Sequence, residues 1–140
     1  MKSHRPLIQF FLPILFSLVF SFGKIALGQF SRPWTIPDKY KTMKNPNRPG
    51  DQKVIINGQK FWTTNCKTYH GIKGMGDGPR AASLKGDPGD LSTPAFQAQA
   101  DGILYYKAFV GREDMPNFEK IILLEKDRWD LISYIRTLKK

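Results

Sequence analysis

The residues of this chain best suited to hold an iron centre are one thiol, one imidazole and one thioether. They lie in Cys66-Lys67-Thr68-Tyr69-His70-Gly71 and, 45 residues beyond the histidine, in Met115-Pro116. A thiol can add to a vinyl group and form a thioether. A histidine with a distant methionine is an axial pair of electron-carrying haem iron. The run Cys-x-x-Cys-His marks attachment of a c-type haem; here its first cysteine and its histidine are present, and Tyr69 fills the second cysteine position. Taken singly, each residue has a plainer reading as a small buried hydrophobe, an ordinary histidine or a core methionine. What joins them is order and context. The cysteine and histidine end a helical pattern and precede a glycine-rich stretch, and the methionine falls in a loop beside proline.

The spacing has geometric consequences. Residues four apart on a helix are neighbours on one face, so Cys66 can bond the edge of a flat macrocycle while His70 reaches its iron. Tyr69 cannot form the second thioether; its ring is expected to pack on the macrocycle edge. An axial histidine needs an acceptor for its other ring nitrogen, and the carbonyl of Pro79, nine residues on, is the candidate. Met115 offers a soft ligand that favours ferrous iron, and Pro116 stiffens the loop that presents it.

These groups must be positioned by a small set of helices. Asp51 is a cap for a helix over about 52–65, with Val54, Ile55, Phe61 and Trp62 at helical spacing. Gly58 in its middle implies close approach of another helix. Residues 70–90 hold six glycines between Gly71 and Gly89 and read as a loop, with one helical turn over 80–84. So long a loop suits a domain that wraps a ligand. Asp101 is expected to cap a second helix over about 102–110, closed by Gly111; 112–120 is the loop carrying Met115. A third helix over about 125–138 shows the apolar stripe Leu131, Ile132, Ile135 and Leu138, flanked by Trp129 and Tyr134. No run alternates long enough for a strand, and no repeat is present. Residues 29–50 carry four prolines among lysines and arginines and predict an extended basic arm, draped on the domain or serving as linker. Trp34 and Ile36 are its pinning residues.

The first 28 residues read as a signal peptide: Lys2 and Arg5, an apolar run from Leu7 to Phe22, then Ala26-Leu27-Gly28 as cleavage site. The run is short against the ~20 residues of a bilayer span. The alternative is an uncleaved membrane anchor. Export to the periplasm is therefore expected. Of 140 residues, 22 are basic and 12 acidic, a net charge of +10; loss of Lys2, Arg5 and Lys24 leaves +7. Such charge steers a protein toward acidic partners or an anionic membrane face; nothing in the sequence points to nucleic acid. With one cysteine the chain cannot close an internal disulfide. A core this small is marginal by burial alone, and a buried cofactor would add apolar contact.

On these residues the chain resembles a class I monohaem cytochrome c of the bacterial type. The pieces are Asn57-Gly-Gln-Lys-Phe-Trp-Thr-Thr-Asn-Cys66, His70-Gly71, Gly74-Met-Gly-Asp-Gly-Pro79, Met115-Pro-Asn-Phe118 and Arg128-Trp-Asp-Leu-Ile-Ser-Tyr-Ile-Arg136. The resemblance implies a small all-α domain over 51–140, after the signal peptide (1–28) and arm (29–50), with three to four helices around the cofactor. It implies that the terminal helices cross at Gly58 against Tyr134 or Trp129. It further implies one haem c per chain, bound by Cys66, Tyr69, His70, Pro79 and Met115, with His70 and Met115 on iron. The expected function is electron transfer without catalytic turnover, by a monomer that meets redox proteins such as membrane respiratory complexes with acidic docking surfaces. The alternatives are a haem-free binding domain of the same fold, and a haem sensor or enzyme with a labile sixth ligand.

Overall fold

The computed structural model describes residues 33–140; the expected signal peptide lies outside the described residues. Helix α1 spans Asp38–Thr42, α2 Gln52–Phe61, α3 Lys67–His70, α4 Pro94–Gln97, α5 Asp101–Phe109 and α6 Glu125–Arg136. Among the described residues the only β-type pairing is an isolated bridge between Arg112 and Met115, so the fold is all-α, as expected. No helix among them is long and apolar enough to cross a membrane.

Asp51 caps α2, accepting from the backbone N–H of Lys53 at 2.9 Å and of Val54 at 3.4 Å. The helix does not stop near Asn65. It widens into a π-helical turn over Trp62–Cys66 and continues directly into α3. Such turns are rare and often mark functional positions; here the wide turn re-aims Cys66 and all that follows it. The pair α2 and α6 is the main helix contact of the fold. It is close because Gly58 carries no side chain: a Cβ there would lie 2.8 Å from that of Tyr134. Trp62, Leu104, Phe109, Leu131 and Ile132 form the most deeply buried part of the core.

Two local expectations are corrected, and other features were not foreseen. The arm is not extended throughout: residues 38–42 form α1, which packs on α5, with the Tyr40 ring 4.7 Å from that of Tyr106. The arm is thus draped on the domain, and further along Asn45 donates to Ser133 at 2.9 Å. Asp101 does not cap α5; it lies inside the first turn and its carboxylate accepts from Arg136. Two charge-assisted hydrogen bonds from Arg136, both to Oδ1, outcompete the helix N–H groups for that carboxylate. Helix α4, capped by Thr93, was not foreseen. In α6, Trp129 and Tyr134 are buried with the stripe, and so is Asp130, at 0 % exposure. Asp130 is satisfied by Lys126 at 2.6 Å, Asn47 at 2.9 Å and Asn57 at 2.8 Å, as a buried charge requires.

Candidate functional site

The glycine-rich stretch after His70 works as a cap. The last four carbonyls of a helix have no partner within it. Here each finds one: Lys67 O accepts from Gly71 N at 2.8 Å, Thr68 O from Arg80 N at 2.9 Å, Tyr69 O from Gly78 N at 3.1 Å and His70 O from Gly76 N at 2.9 Å. The loop lies so close that a Cβ on Gly78 would stand 2.4 Å from Thr68 O. The helix end bearing Cys66 and His70 is therefore held from outside by the loop. Leu91 N donates to Gly74 O at 2.7 Å and carries the chain back to the core.

Met115 arrives on the loop that follows α5. Its N–H donates to Arg112 O at 2.9 Å across a tight turn. The turn is tied to the loop by Asp114, whose carboxylate accepts from Lys85 N at 2.7 Å. Cys66, His70 and Met115 thereby line one cavity of about 340 Å³, within the size range of ligand sites. Its other walls are largely apolar, with Trp62, Leu91, Phe96 and Leu104 among them. A groove beside it shares Trp34, His70, Pro88 and Met115 with the cavity.

The electrostatics follow from burial. Cys66 is a buried free thiol, and burial pushes its pKa up to about 12. Burial pushes His70 below the ordinary histidine value, opposed by the Pro88 backbone. A neutral imidazole is the form that binds metal. Two buried polar atoms of the cavity wall, His70 Nδ1 and Trp62 Nε1, have no hydrogen-bond partner, which is rare in native interiors and calls for a reason. An apolar cavity carrying a thiol, a neutral imidazole and a thioether fits a flat, iron-bearing macrocycle.

Two expected contributors stand elsewhere. Tyr69 is half-buried, outside the cavity lining, and its ring lies 5.5 Å from the Arg80 guanidinium. Pro79 is exposed and also outside the lining, because its neighbours Gly78 and Arg80 spend their N–H groups on the helix end. The proline of the cavity wall is Pro88. Sequence reasoning missed Lys107 as a wall residue and placed Trp34 only as a pin. Trp34 is the one tryptophan of a polar arm, and that contrast was the available signal.

The family model for cytochrome c matches residues 55–139, more than half of the chain. The chain belongs to the cytochrome c family. Haem binding and electron transfer come with that membership. The chain is similar to a solved chain of the Kuenenia stuttgartiensis reducing HAO-like protein complex Kustc0457/Kustc0458, with 31% identity and a TM-score of 0.58. The match covers 68% of this cytochrome and 47% of that chain, so this protein corresponds to about half the length of the solved one. None of the curated proteins matches the chain.

Proposed function

We propose that this cytochrome is an exported electron carrier of the class I monohaem type, with one haem held by a single thioether and by His/Met ligation. The observation that carries the reading is the convergence of Cys66, His70 and Met115, distant in sequence at the outer pair, on one apolar cavity. The haem supplies a one-electron ferric/ferrous couple. Cys66 anchors the ring: its S–H adds across a vinyl double bond, forming one C–S and one C–H bond with no leaving group and no oxidant. Tyr69 leaves the second vinyl group without a thiol, so attachment is single. His70 and Met115 are the residues that would hold the iron, and a thioether ligand would favour the ferrous state. The apolar walls exclude water and so limit the reorganisation that accompanies electron transfer. The basic excess supports acidic redox partners, and the basic and apolar N-terminal segment supports export with cleavage near Gly28.

A second reading draws on the solved neighbour, which is part of a protein complex named HAO-like. On that reading the domain delivers electrons within an enzyme assembly, or binds an exogenous ligand at a labile sixth position. Carbon monoxide separates the two. Fast binding to the reduced protein favours the open-site reading, and slow binding favours the carrier.

The test is a pyridine haemochrome spectrum combined with intact mass and N-terminal sequencing of the exported protein. One haem per chain, a band between those of doubly attached and unattached haem, and a start at or near Gln29 are expected. A colourless protein from a host able to attach haem would leave the haem-free binding domain as the reading.

A further inference from the structure

The arm precedes the residues matched by the family model, yet it enters the cavity. Trp34 lines both the cavity and the adjoining groove, beside His70 and Met115. Two cations stand over its half-buried ring. The Arg112 guanidinium lies 4.0 Å from the ring centroid and Lys107 Nζ 5.9 Å. Arg112 also donates to the carbonyl of Pro33 at 3.2 Å, and the ring of Tyr106 meets the indole edge-on at 6.1 Å. Arg112 and Met115 are the two ends of one tight turn, so the clamp on Trp34 and the proposed iron ligand belong to one short segment.

We propose that Trp34 is a gate residue: its indole, clamped by Arg112 and Lys107, closes the cavity on the Met115 side and limits the entry of water and small ligands. The inference rests on the haem reading above. A side chain held by two cation–π contacts, one edge contact and one backbone hydrogen bond nearby is a modest closure, not a core residue. It can swing out while α1, anchored on α5, keeps the rest of the arm in place. Among the described residues Trp34 is the largest ring in the groove wall, which it shares with Leu84, Gly86, Asp87 and Pro88.

The test uses the full-length haem-loaded protein and cyanide as the probe, with haem content measured for every variant. Rates are read by stopped flow on the ferric form, in the native protein and in a Met115→Ala background where the sixth position is open. Trp34→Ala should speed cyanide binding in the Met115→Ala background by about tenfold, the scale of losing two cation–π contacts. Trp34→Phe should restore a rate near the parent's, since a phenyl ring keeps both wall and clamp. Arg112→Gln should fall between. A Trp34→Ala rate within about twofold of the parent overturns the gate. Should the purified native protein hold no haem, the electron-carrier reading fails separately. The gate is then judged from the alkylation of Cys66, the sole cysteine, by iodoacetamide. Faster alkylation in Trp34→Ala, reversed in Trp34→Phe, sustains it, and unchanged alkylation overturns it.

Discussion

A Cβ placed on Gly58 would stand 2.1 Å from the carbonyl oxygen of Asp130. Helices α2 and α6 thus touch backbone to backbone, and the contact falls on the residue whose side chain ties the arm to α2 and α6. Alanine at position 58 would gain ~1 kcal/mol in helix propensity. The clash with backbone outweighs this, because overpacking costs typically ~1–3 kcal/mol and here no flexible side chain can yield. Gly58→Ala should therefore lower stability by about 1–2 kcal/mol, a fall of roughly 4–16 °C in Tm for a domain of this size. A Tm equal to or above the parent's, measured at one pH and one haem content, would contradict the crossing.

Attachment is tested at Cys66. In the haem-bearing protein its thiol should be consumed, so alkylating reagents should find none even after unfolding. Acid-acetone should leave the haem on the native protein and remove it from Cys66→Ala. Complete extraction from the native protein would refute the thioether.

Iron ligation is tested at Met115. A thioether on ferric haem gives a weak near-infrared charge-transfer band. Met115→Ala should abolish it and lower the reduction potential, since the softer ligand favours the ferrous state. His70→Ala should be worse, preventing stable haem incorporation. If Met115→Ala left spectrum and potential unchanged, the sixth ligand would be another residue; Met75, 40 % exposed and outside the cavity lining, has the weaker claim.

The acid limb of stability is tested at Asp90, which lies in the cavity wall. Its carboxylate accepts from the hydroxyl and the N–H of Ser92 and from Lys140 Nζ, and these hold its pKa below the ordinary 3.8. A depressed carboxylate contributes stability above its unfolded pKa and loses it as pH falls through the folded value. Asp90→Asn should accordingly flatten the decline of Tm below pH 3.8. Parallel Tm curves for the two proteins in that range would count against the role.

What the sequence by itself determined was local. The Asp51 cap, the helical spacing of α2 and α6, and the glycine in the crossing are carried by side-chain chemistry and period within a few turns, and the helices formed close to where they were expected. The one cysteine, the histidine four residues on and the methionine in a loop beside proline also stand in the sequence, and they sufficed to name the chemistry. Tertiary structure decided what depends on partners far along the chain. Whether Asp101 caps a helix or pairs with Arg136, 35 residues away, is a competition that no local pattern records. Tyr69 and Pro79 were assigned to the cavity by proximity to His70 in sequence, yet the loop that caps the helix end draws both to other surroundings. Trp34 reaches the cavity through a fold of the arm, because the cations that clamp its ring lie more than 70 residues away. Buried Asp130 is satisfied by Lys126 of its own helix and by Asn47 and Asn57, which arrive from two other elements, and burial of a charge is a property of the assembled fold.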